Sequence, residues 1–118
     1  MTVPEETDGP DRSGSVAGVR PLADVDRALE RLAPPGRAAG QSAAGAAAAY
    51  RWALGRTARA PVTSAHAHGV PDLELLTAEV DAAIVQLGDP TLPVDLRDFT
   101  LGVHDALGWV CGYNDQQP

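Results

Sequence analysis

The chain has 118 residues, with nine arginines, no lysine and sixteen acidic residues, for a formal charge of −7. About twenty-five large apolar side chains lie between Leu22 and Val110, enough for one modest core and too few for two, so a single domain is expected. One cysteine, Cys111, excludes an intramolecular disulfide scaffold and paired-cysteine zinc modules, and the absence of lysine excludes Schiff-base chemistry and a P-loop.

Residues 1–20 are rich in Pro, Gly, Ser, Thr and acids, and predict a flexible tail, disordered or loosely docked. The acids in its first eleven positions stand where a signal peptide needs positive charge. No apolar run reaches the roughly 18 residues of a membrane span, so a cytoplasmic location is expected. From Leu22 the spacing of Leu22, Val25, Leu29 and Leu32 predicts a helix to about Ala33, stopped by Pro34, Pro35 and Gly36.

A second helix is expected over 42–56, capped by Ser42 and running through the alanines 46–49 to Tyr50, Trp52 and Leu54. Its small side chains suit close approach to another backbone. Residues 57–70 form a long connection. A third helix, near 72–87, starts with Pro71, Asp72 and Glu74 and carries a seam of Leu73, Leu76, Val80, Ala83 and Leu87, widened by Ile84. Glu79 and Asp81 are placed on its solvated face.

The fourth helix is expected over 95–111, capped by Asp95, stapled by Val94 against Phe99, and striped by Leu96, Phe99, Val103, Ala106, Leu107 and Val110. Gly102 and Ala106 leave a shallow groove for the second helix. The connection 88–94 is short, which predicts an antiparallel helical hairpin. The expected fold is all-α, a small bundle of four helices without a sheet, spanning 21–113 and followed by a tail over 114–118. No repeat is read: the likeness of Trp52-Ala53-Leu54-Gly55 to Ala106-Leu107-Gly108-Trp109 is ascribed to two Ala-rich amphipathic helices.

The segments Ala49-Tyr50-Arg51-Trp52-Ala53-Leu54-Gly55 and Asp105-Ala106-Leu107-Gly108-Trp109-Val110-Cys111-Gly112 resemble small helical proteins of unknown function from high-GC actinobacteria and their phages or mobile elements. The resemblance spans about residues 42–118 and implies a host without implying a mechanism.

Chemistry-bearing residues are few. His66, His68, His104 and Cys111 are the only borderline or soft metal ligands, but His104 and Cys111 stand about 10 Å apart along one helix, so no metal and no cofactor is expected. That separation also excludes a Cys–His nucleophile pair. His104 and Asp105, adjacent on a helix, are expected to point about 100° apart. No catalytic constellation remains, and the chain is not expected to be an enzyme.

Residues 1–60 hold eight arginines and seven acids, for +1, whereas 61–118 hold one arginine and nine acids, for −8. Arg51, Arg56 and Arg59, interleaved with Tyr50 and Trp52, offer a nucleic-acid contact. The acidic half offers DNA mimicry instead. The reading preferred over both is a non-catalytic protein-interaction or assembly module that self-associates. Its candidate partner-binding residues are Arg51, Trp52, Arg56, Arg59 and Trp109, with core packing as the alternative for both tryptophans.

Overall fold

Val25, Ala28 and Leu29 share one side of the first helix, and burial of that side holds it against the core. In the computed structural model, which describes residues 16–32 and 40–115, the helices are α1 (Leu22–Leu32), α2 (Gln41–Ala53), α3 (Leu73–Leu87) and α4 (Val94–Val110). The chain is mostly helical, as expected. Residues 1–15 of the expected tail, the stop at Pro34, Pro35 and Gly36, and residues 116–118 lie outside the described residues.

The expectation of no sheet fails on a short antiparallel ribbon of β1 (Val16–Ala17) and β2 (Arg20–Pro21). Gly18, at φ 59°, makes its turn, and Val19 N–H donates to the Val110 carbonyl at 3.0 Å. Strands of two residues are too short for alternation to register in a sequence. Residues 16–20 thus pack on the C-terminal end of α4.

Two expected caps are replaced. α2 begins at Gln41 behind Gly40, and Ser42 lies inside the helix, its carbonyl pressed against Gly102. α4 begins at Val94 behind Pro93, with no side-chain cap from Asp95. Val94 is exposed and forms the first residue of the helix instead of preceding its cap, so it is not placed to staple against Phe99. Asp72 caps α3 by accepting from Leu75 N–H at 2.9 Å. The C-terminal end of α3 is capped from α4: Arg97 donates to the carbonyls of Leu87 and Asp89, each at 2.9 Å.

The tightest helix pair is α2 with α4. A Cβ on Gly45 would lie 1.9 Å from the Phe99 carbonyl oxygen, and one on Gly102 would lie 1.9 Å from that of Ser42. The two backbones touch at both points, which is what the run of small side chains permits. Around this crossing Tyr50, Trp52, Leu76, Val80, Val103, Leu107 and Val110 form one core with Val25 of α1.

These contacts are reciprocal. Gly45 meets the residue three before Gly102, and Gly102 meets the residue three before Gly45. The same correspondence runs through the sequence at a spacing of 57, pairing Gly45 with Gly102, Ala49 with Ala106, Trp52 with Trp109 and Gly55 with Gly112. At a spacing of 55, α1 matches α3: Ala23 with Ala78, Val25 with Val80, Asp26 with Asp81, Ala28 with Ala83, and Leu32 with Leu87.

Both α2 and α4 end in a Schellman turn with tryptophan three residues before a left-handed glycine. Gly55 (φ 78°) donates to Trp52 O and Arg56 to Arg51 O; Gly112 (φ 83°) donates to Trp109 O and Tyr113 to Gly108 O. The two helical pairs thus correspond position by position in these letters, contacts and turns. In this register the counterpart of Trp52–Gly55 is Trp109-Val110-Cys111-Gly112, three residues on from Ala106-Leu107-Gly108-Trp109. The stretch from Leu87 to Gly102 is two residues longer than the matching stretch from Leu32 to Gly45, which changes the spacing from 55 to 57.

The outer sides of α3 and α4 depart from the expected seams. Leu76, Val80 and Ala83 are buried, but Leu73, Ile84 and Leu96 are exposed. Glu79, expected on the solvated face, is buried at 1% exposure.

Candidate interaction site

Among the five residues singled out in the sequence, the structure separates the arginines from the aromatic rings. Arg51 is exposed at the end of α2, Arg56 is paired with Asp26 of α1 at 2.8 Å, and Arg59 makes a long 3.3 Å bond to the Ser64 carbonyl. Trp52 is 0% exposed and Trp109 5%, so the core alternative holds for both. With Tyr50 also at 0%, no ring face between the arginines is open for base stacking.

Tyr50 lies edge-on to Trp109, with centroids 6.1 Å apart and an interplanar angle of 84°. Among the described residues, neither Tyr50 Oη nor Trp52 Nε1 has a hydrogen-bond partner. Burial, with the Asp105 carboxylate second, pushes the Tyr50 phenol far above its ordinary range. Burial also pushes the Cys111 thiol up to about 11, which keeps it protonated and unreactive at neutral pH.

The connection 57–70 is a compact loop whose ends meet. A Cβ on Gly55 would lie 2.8 Å from the Gly69 carbonyl carbon and Val70 nitrogen. Arg59 and His66 form a bridge, and Ser64 turns the chain at φ 64°. Glu79 pins this turn to α3: its carboxylate accepts from Val62 N–H (2.5 Å), Thr63 N–H (3.0 Å) and the Thr63 hydroxyl (2.7 Å). Three donors offset the burial of a charge that a solvated helix face would not have suffered.

The histidines do not converge with the thiol. His66 and His68 stack edge-on with centroids 4.6 Å apart, both exposed, while Cys111 is buried at the end of α4. His104 Nδ1 lies 3.0 Å from Asp105 Oδ1, against the expectation that the two point apart. Side chains leaving a helix 100° apart can still bend together beyond the backbone, since each rotates freely at its outer torsions. Among the described residues, no three His, Cys, Asp or Glu side chains come together.

Among the described residues, clefts open between the helices, and two of them border the candidate site. One, of about 140 Å³, is lined by Asp24, Arg27 and Arg31 of α1 and by Trp109. Arg20 lies 4.8 Å above the Trp109 ring while its Nε donates to the Trp109 carbonyl at 2.8 Å. The other, of about 360 Å³, lies between the starts of α2 and α4 and is lined by Gln41, Asp95, Leu96 and Phe99. Sequence reasoning gives no role to Asp24, Arg27 or Arg31, and it sets Glu79 on the solvated face where the structure buries it. The signal that finds them is the Ala-x-Val-Asp-x-Ala match of α1 to α3, which sets Asp24 opposite Glu79.

The matching halves differ in what they leave exposed. Leu29 is 8% exposed, but its counterpart Ile84 is 52%; Val85 (77%) stands where the first half has Glu30, and Leu101 (41%) where it has Ala44. Val94 (71%) and Leu96 (43%) lie close by in the chain at the start of α4. No helix among the described residues is long and apolar enough to cross a membrane. No family model, curated protein or solved structure matches the chain.

Proposed function

We propose that the chain is a cytoplasmic, non-catalytic helical interaction module that self-associates through the second helical pair, arranged as an antiparallel hairpin in a four-helix bundle. The supporting observation is the exposure of Ile84, Val85, Val94, Leu96 and Leu101, aliphatic side chains clustered in the chain around the α3–α4 turn. Three of these positions hold a buried leucine, a glutamate and an alanine in the first pair. Apolar surface of this kind marks contact with another chain. A second copy is the occupant that the opposed charges of the two halves favour, because the acids of one copy's C-terminal half attract the arginines of another's N-terminal half.

Light scattering after gel filtration tests this reading on Val85→Glu and Val94→Glu, which alter exposed positions and leave the core intact. The wild-type chain is expected to elute as a dimer and both variants as folded monomers. Variants with the wild-type mass would contradict the proposed surface.

A further inference from the structure

The correspondence of the two helical pairs allows them to be compared site by site. At the spacings given above, Asp24 corresponds to Glu79, Arg27 to Ala82, Arg31 to Gln86 and Trp109 to Trp52. In the second half the carboxylate position is filled from the chain itself: Glu79 is buried and receives two successive backbone N–H groups and a hydroxyl from Val62 and Thr63. In the first half the same position opens on the 140 Å³ cleft. There the Asp24 carboxylate is partly exposed and takes Arg27 Nη2 at 3.0 Å, an exposed pair of little strength that a better donor set can displace.

The first half also differs where its cleft is charged. Ala82 and Gln86 carry no charge, whereas Arg27 and Arg31 line the cleft together with Asp24 and Trp109. A ligand that copies the Val62–Thr63 turn would meet an acceptor for its N–H groups and, next to it, guanidinium groups suited to a carboxylate. The geometry points to this cleft as a docking site for a partner chain's acidic peptide turn, with backbone N–H groups on Asp24 and a side-chain carboxylate on Arg27 and Arg31. The assignment rests on the interaction-module reading and adds a second surface, distinct from the apolar face of the second half.

The probe is an acetylated, amidated hexapeptide containing Val-Thr followed by two glutamates, compared with one in which lysines replace the glutamates. Both are titrated into the full chain and followed by amide and indole N–H shifts in NMR spectra. Saturable shifts centred on α1 and the Trp109 indole are expected for the acidic peptide, with binding weakened at least about tenfold by Asp24→Ala and by Arg27→Glu. Both substitutions are on exposed side chains, so circular dichroism should show an unchanged fold. The proposal is overturned by shifts confined to other surfaces, by equal binding of the lysine peptide, by unchanged affinity in Asp24→Ala, or by no shifts at millimolar peptide. Sedimentation of the same variants reads self-association separately, so failure of the cleft and failure of the dimer reading remain distinguishable.

Discussion

Gly45 and Gly102 each occupy the point where the other's helix comes closest, so that a methyl group on either would land 1.9 Å from a carbonyl oxygen. No side-chain rotation relieves such a contact, because a Cβ is fixed by the backbone and the atom it meets is backbone as well. Gly45→Ala and Gly102→Ala must therefore push α2 and α4 apart. Each is expected to cost at least about 2 kcal/mol in urea unfolding, at the upper end of ordinary overpacking, and the two costs should be similar because the contacts are reciprocal. A neutral result for either would place the crossing elsewhere.

The turn held by Glu79 gives a second test. Glu79→Ala leaves the N–H groups of Val62 and Thr63 without their acceptor and is expected to cost about 2–4 kcal/mol. Thr63→Ala removes one donor of three and should cost about 1 kcal/mol. Urea denaturation of both variants measures the ratio. Equal losses would mean that the carboxylate does not hold the backbone.

Much of the helical layout was legible in the sequence, because apolar spacing at three and four is imposed by the same burial that forms the helices. The stripes around Leu76, Val80, Val103 and Leu107 show this directly. The caps at Gly40 and Pro93 were not legible, since tertiary contact at Gly102 and the ring of Pro93 decided them in place of Ser42 and Asp95. The correspondence of the two helical pairs is present in the letters but masked by the change of spacing from 55 to 57 between Leu87 and Gly102, which shifts Trp109 out of register with a single-offset comparison. The candidate site was the least legible part. Arginine and tryptophan identities mark interface chemistry only when exposed, and nothing local to Trp52 reveals that it is buried whereas Ile84 is not.

Tyr50 offers a test in the opposite direction. Its hydroxyl is buried without a partner among the described residues, so Tyr50→Phe removes a desolvated polar atom and keeps the edge contact with Trp109. The variant is expected to be more stable by about 1 kcal/mol in thermal or urea unfolding. A loss of that size would show that the hydroxyl is satisfied in solution.

Alkaline pH should unfold the protein through Cys111 and Tyr50. In the unfolded chain the thiol ionises near its ordinary value of about 9, but in the folded chain burial holds it to about 11. Between these values the unfolded state binds fewer protons, so stability falls as pH rises from about 9 through about 11. Tyr50, shifted in the same direction, extends the fall above pH 10. Urea midpoints across this range, compared with Cys111→Ala, should show the early part of the decline shrink in the variant. An identical decline would assign it to other groups.

The central claim is that the second helical pair carries a self-association surface made of aliphatic side chains. Sedimentation equilibrium of the full chain, over a range of concentrations and at low and high salt, tests it most directly. A dimer that dissociates on dilution and persists at high salt, though more weakly than at low salt, is predicted, because ions screen the attraction between the charged halves but not the burial of Ile84, Val85, Val94, Leu96 and Leu101. A monomer at every concentration and both salt levels would contradict the account.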